Sequence, residues 1–203
     1  MHQNDRLSAA ARHGDTSGVR DALAAGAHVE FRDHEGRTPL LLAALADHVE
    51  VAELLVAAGA DPNARDDAGD TPWLVTGVTG SVPMLRALLP AGPDLSVTNR
   101  FGGTSLIPAA ERGHVAYVRA VLRETDTDVD HVNRLGWTAL LEAVILGDGG
   151  RAHQETVELL VTAGADPLLA DHDGTTPLQH ARRRGFEAIA GLLAATARRA
   201  GVR

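Results

Sequence analysis

A chain of 203 residues with a formal net charge of -8 and no cysteine leaves no room for a disulfide framework or a thiolate metal site, and its acidic balance argues against nucleic acid as a partner. Hydrophobic residues make up 44% and aromatics only 3%, a balance that suits thin layers of short helices better than one thick core. The start, MHQNDRLSAAARHGD, lacks a basic, apolar leader and no later run is long and apolar enough for a membrane span, so a cytoplasmic protein with no membrane contact is expected.

In chain order, residues 1–6 are expected to fray. Residues 7–32, LSAAARHGDTSGVRDALAAGAHVEFR, carry a two-helix pattern without a T-P-L opening and with polar interruptions, as an end unit with one solvent-facing side requires. Residues 33–65 supply the regular template. Thr38 can cap a first helix and Pro39 suits its first position. Leu40, Leu41, Ala43 and Ala44 give it an apolar face, and Val49, Val51, Ala52, Leu54, Leu55 and Val56 form the broader stripe of a second helix. Gly59 can then end the hairpin in a left-handed conformation.

Later copies depart from that template. Residues 66–98 place Trp73 in the leucine position, Gly77 inside the first helix, and Pro83, Pro90 and Pro93 around the second, so this layer is expected to be soft. Residues 99–132 replace the usual G-A-D turn with RETDTDVDHVN. Its carboxylates begin with the spacing of a calcium loop, but His131 stands where that loop needs glycine and Trp137 where it needs glutamate, so a solvated acidic loop is expected. Residues 133–170 contain GDGGRAHQE, an insertion near residues 147–155 expected to emerge as a surface loop; it lacks the Lys-Ser/Thr of a phosphate-binding loop. Residues 171–193 form the closing unit, with Arg182, Arg183 and Arg184 as solvent-facing charge, and residues 194–203 are a basic tail.

The glycines before each T-x-L element, Gly36, Gly69, Gly102, Gly136 and Gly174, are 33, 33, 34 and 38 residues apart. With TPLLLAA at Thr38–Ala44, VELL at Val157–Leu160, GADPN at Gly59–Asn63 and GADP at Gly164–Pro167, the chain resembles the ankyrin repeat proteins. The resemblance implies an all-α solenoid of six stacked helix-turn-helix units in one domain, and a protein-binding scaffold that uses turn tips and inner helices. GWTALLEAVILGDGG followed by DGTTPLQHARRRG is similar to a group of small bacterial ankyrin proteins, some linked to oxidative-stress protection, which implies a regulatory role in that defence as an alternative.

The register of the repeat nominates the surface. Arg100, Phe101, Arg134, Leu135 and Trp137 flank the turn glycines and are expected at exposed tips, where large apolar groups beside arginine resemble an interface centre and rim. Leu42, Val75, Glu142 and His180 are expected on the exposed side of the first helices. No catalytic, cofactor or metal residue is assigned; an enzyme centred on Glu142 and His180 is the competing class, and a self-associating scaffold a third. The expected partner is a protein with a basic surface, and the expected state is a monomer, with a homodimer as the alternative.

Overall fold

The computed structural model describes residues 2–200, and among them are twelve α-helices and no strand. They form six hairpins: α1 (Gln3–His13) with α2 (Thr16–Ala24), α3 (Pro39–Leu45) with α4 (Val49–Ala57), α5 (Pro72–Thr79) with α6 (Val82–Leu88), α7 (Leu106–Glu111) with α8 (Val115–Glu124), α9 (Ala139–Ile145) with α10 (Arg151–Thr162), and α11 (Pro177–Arg183) with α12 (Glu187–Ala200). The chain divides into two compact units, Met1–Arg100 and Phe101–Arg203, each holding three hairpins.

Local chemistry explains where the helices start. Thr38, Thr71 and Thr138 each accept the backbone N–H three residues on, at 3.2, 3.1 and 3.2 Å, and Pro39 and Pro72 occupy the first helical position, where no N–H is missed. Thr176 and Gln179 satisfy each other's backbone N–H groups in a capping box. Pro83 lies in the first turn of α6, and Pro90 in a 3-10 turn, Leu89–Ala91, that follows it. Neither proline therefore interrupts a helix interior.

Helices of six to fourteen residues are marginal alone, so each hairpin depends on its neighbours. In the first unit α3 packs against α1 and α5, and α4 against α2 and α6. The second unit repeats this with α9 between α7 and α11 and α10 between α8 and α12. Leu40, Leu41, Leu55, Leu85 and Leu88 are fully buried in the first unit, and Leu140, Leu141, Val144, Leu160 and Leu193 in the second. Each such side chain is worth roughly 1.5–3 kcal/mol of burial. Trp73, 1% exposed, fills the core of the first unit in place of the template leucine.

Polar side chains tie successive hairpins together inside each unit. Asn4, Glu30 and Asn63 accept the backbone N–H of His28, Asp61 and Asp94 at 2.9, 2.9 and 2.8 Å. In the second unit Asp130 accepts from Asp166 N–H at 3.0 Å. These contacts alter two expectations. The N-terminal residues do not all fray, because α1 begins at Gln3 and Asn4 has a partner to hold. Asp130 of the acidic loop serves a structural contact; burial pushes its carboxyl up, with Asp166 and Asp128 adding repulsion, while the Asp166 N–H opposes the rise. The tail is also more regular than expected: α12 carries it in helical form to Ala200, and the rest lies outside the described residues.

Candidate functional site

Four of the turns before the inner helices, those at Gly36, Gly69, Gly136 and Gly174, share one device that begins three residues before the glycine. Asp33, Asp66, Asn133 and Asp171 each accept, on a single side-chain oxygen, the N–H groups two and four residues on, at 2.8–3.0 Å. The recurring Asp/Asn at this offset is visible in the sequence as D/N-x-x-G, though the glycine spacing alone does not reveal it. Neighbouring tips are then linked through the backbone: Asp67 N–H donates to Glu35 C=O at 3.1 Å, and Arg134 N–H to Phe101 C=O at 2.9 Å. Phe101 and Leu135 thus stand on two successive turns joined by that bond, 55% and 53% exposed.

Arg134 is exposed between them and Trp137 is half-buried at the same turn. Val132, missed by the sequence reading, adds a further exposed apolar side chain just before Arg134. Arg100, also exposed, closes the first unit. All five tip candidates thus have solvent access, with Trp137 the least open.

The inner-helix candidates behave differently. Leu42 and Val75 are only 3% and 4% exposed, which corrects their expected place on an open face. The reason is packing: α3 lies between α1 and α5, and the exposed apolar positions fall three residues later, at Leu45 and Val78. Glu142, at the same offset from its capping threonine, is also buried, and His180 is half-buried.

Burial obliges these two polar side chains to find partners nine residues back, in the turns. Asn133 Nδ2 donates to Glu142 Oε1 at 2.7 Å, so one amide orders the tip with its oxygen and holds the inner helix with its nitrogen. His180 Nε2 donates to Asp171 Oδ2 at 2.7 Å. Glu142 and His180 are therefore engaged with different residues. Burial, then repulsion from Glu111, pushes the Glu142 carboxyl up to about 7, against the opposing effects of the Asn133 hydrogen bond and Arg112. Asp171 moves the other way, held down by the Thr175 N–H and the His180 hydrogen bond.

The insertion is only partly a loop. Residues 146–150 join α9 to α10, while 151–155 add a turn to the start of α10. Asp148 Oδ1 accepts from Gly150 N–H at 2.8 Å and lies 2.7 Å from His153 Nδ1, and His153 Nε2 donates to Glu111 C=O at 2.9 Å. Gly149 has φ +72°, and a Cβ there would overlap the Phe186 ring. The joint is packed down, leaving Leu146 as its exposed apolar residue. Of the three closing arginines, Arg184 donates to the Ile145 carbonyl and sits 4.6 Å from the Phe186 ring centre, and Arg183 donates to Thr175 Oγ1 at 3.3 Å. Arg182 alone keeps the purely solvent-facing role expected of all three.

Residues 7–98 and 73–171 match the profile of ankyrin repeats (three copies). The chain belongs to the ankyrin repeat family. It is 44% identical over 186 residues to the ankyrin repeat protein YahD of Escherichia coli (strain K12), covering 92% of each chain. The crystal structure of an ankyrin repeat domain from Acinetobacter baumannii AYE superposes with a TM-score of 0.90 at 48% identity, covering 94% of this chain and 96% of that one. The ankyrin repeat domain of Bcl-3, a member of the IkappaB protein family, gives a TM-score of 0.83 at 28% identity, covering 94% and 85%. Ankyrin repeats are a non-catalytic fold that generally serves protein–protein interaction. Among the described residues no helix is long and apolar enough to cross a membrane.

Proposed function

We propose that this ankyrin protein is a non-catalytic adaptor that binds its partner on the turn tips and adjoining inner helices of the second unit. The observation that carries this reading is the pair of large apolar side chains, Phe101 and Leu135, exposed on two successive turns that a backbone hydrogen bond joins. A rigid frame limits the entropy lost on docking, and burying two such groups supplies an apolar centre for an interface, with Arg134 at its rim. The catalytic alternative has less support, because Glu142 and His180 are each oriented by a separate turn residue.

Affinity isolation from the native host with wild-type protein and the Phe101→Ala, Leu135→Ala double variant tests the assignment. The variant should keep its circular dichroism spectrum, since neither side chain is in the core, and should lose partner capture by a factor of about 30 or more, the scale of a hot spot. Capture at wild-type level by a folded variant would remove the tips from the interface.

A further inference from the structure

The first unit holds a cleft of about 560 Å³, walled by Asp5, Ser8 and Arg12 of α1 and by Phe31, Arg32 and Asp33 of the segment that leads into the turn at Gly36. Ser8 stands at the register where α3 and α5 have Leu41 and Leu74. It is 8% exposed and its hydroxyl has no hydrogen-bond partner, a cost that an apolar residue there would remove. The buried acceptor of the cleft is already taken. Asp33, 10% exposed, receives the N–H groups of Glu35 and Arg37 on Oδ1, and Arg37 Nε, Arg37 Nη2 and Arg12 Nη2 on Oδ2. Donors, by contrast, are in surplus. Arg12 reaches Asp33 through one nitrogen at 3.2 Å, and Arg32 lies on the carbonyls of Gly36 and Arg65, which bring no counter-charge. Of the remaining titratable groups on these walls, Asp5 is exposed and accepts from His2 N–H, His13 is with the Ala9 carbonyl, and His34 is with Glu35. Beyond Arg12 the same register carries Leu45 on α3 and Val78 on α5, 47% and 43% exposed, on helices that pack in succession.

Going beyond the tip contact proposed above, we infer that this cleft takes an acidic side chain of a protein segment: a glutamate or aspartate accepts from Ser8 Oγ and from the guanidinium groups of Arg12 and Arg32, while a leucine-sized neighbour lies on Leu45 and Val78. The chemistry of the walls selects this occupant. Donors with spare capacity call for an acceptor, and a carboxylate offers two oxygens, whereas a lysine would meet two arginines and find Asp33 saturated. The aliphatic ledge beside Arg12 suits a segment better than a free acid, whose short stem would leave Leu45 and Val78 uncovered. Asp5 opposes the entering charge, which fixes the sign of the effect expected on removing it. The net charge of -8 acts on a partner at a distance and is screened within about 10 Å, so the donors in contact decide what is held.

The test uses the whole chain and an array of short, acetylated and amidated peptides that vary the spacing between one glutamate and a pair of leucines, read by fluorescence anisotropy. Twins carry glutamine or lysine in place of the glutamate. The tightest glutamate peptide should bind about tenfold or more above either twin, the scale of a charge-assisted hydrogen bond. Ser8→Ala should lower that affinity about tenfold and leave the melting temperature unchanged or higher, because it removes a hydroxyl that has no partner in the fold. A serine with a structural role would do the reverse. Arg12→Gln should weaken binding of the same peptide, and Asp5→Asn should tighten it. The Phe101→Ala, Leu135→Ala variant should bind it as the wild type does, so failure at this cleft and failure at the tips are read separately. Equal binding of the glutamate and glutamine twins, a preference for lysine, unchanged affinity in Ser8→Ala, glutarate held as tightly as the peptides, or an array without a binder would each overturn the inference.

Discussion

In the first unit, the turn before α3 closes on itself. Arg37 donates through Nε and Nη2 to Asp33 Oδ2 at 3.0 and 2.9 Å, and Arg32 reaches the carbonyls of Gly36 and Arg65. Arg65 repeats that bridge to Thr98 C=O at 3.0 Å. In the second unit the same backbone frame carries other side chains: Val132 occupies the place of the bridging arginines, Trp137 the place of Arg37, and Leu135 that of Glu35. His131 Nε2, donating to Gly102 C=O at 2.8 Å, takes over the tie between neighbouring turns. Both units share the Asx turn and the backbone link; the first adds arginine side chains that satisfy its own carbonyls, while the second adds His131 and carries exposed apolar side chains at Val132 and Leu135. A repeat fold can therefore keep its geometry constant and move function along the chain by changing which groups satisfy the turn.

The two tryptophans give the sharpest way to break that comparison. Trp73 is 1% exposed in the first unit and Trp137 half-buried at a tip of the second. Trp73→Ala should cost about 3–5 kcal/mol, from lost transfer energy and the cavity left behind. Trp137→Ala should cost nearer 1 kcal/mol. Urea unfolding followed by circular dichroism measures both, and a larger loss at Trp137 would show that the second unit's tip belongs to its core.

Part of this contrast is legible in the sequence and part is not. Thr38-Pro39, Thr71-Pro72 and Thr176-Pro177 mark helix starts because capping chemistry is local, and the structure places them there. Exposure of Phe101 and Leu135 follows from register, since tip positions have no neighbour to cover them. Leu42 and Val75 are buried, against the expectation from register, because burial on an inner helix depends on how closely the adjacent inner helices approach, which a single repeat does not encode. The insertion loops out only over residues 146–150 for a related reason: RAHQE carries no helix breaker, and with Gly150 N-terminal to it that half extends α10. The Asn133–Glu142 and Asp171–His180 bonds were hidden because nothing local makes residues nine apart neighbours; a turn has to fold the chain back first.

The same contrast predicts opposite pH responses. Asp33 in the first unit has a lowered carboxyl pKa: burial pushes it up, but the Arg37 hydrogen bond and the Glu35 and Arg37 N–H groups together outweigh it. The stability it adds is present above the ordinary carboxylate range and is lost as pH falls through the lowered folded value. Glu142 has a folded value raised from 4.5 to about 7, so between these values the folded state holds a proton that the unfolded state has released, and stability declines as pH rises. Glu142→Gln should therefore raise the melting temperature relative to wild type at pH 8 and leave it unchanged at pH 4. A gain of equal size at both pH values would assign the effect to packing.

The smallest expected effect compares two ion pairs. Arg37 and Asp33 are 16% and 10% exposed, meet through two hydrogen bonds, and stand on a turn already fixed by the Asp33 carboxylate. Arg119 on α8 and Glu155 on α10 also meet, yet are 45% and 39% exposed and are joined through one guanidinium nitrogen. Water screens the second pair, and two long side chains lose rotamer freedom to make it, so its coupling in a double-mutant cycle should be about 0.2–1 kcal/mol and should fade in 1 M salt. The Asp33–Arg37 coupling should be larger and persist, because its fork geometry and partial burial resist screening. Equal couplings with equal salt sensitivity would mean that the first unit's turns are closed by the backbone and the Asp33 carboxylate, with the Arg37 side chain adding no more than a surface ion pair.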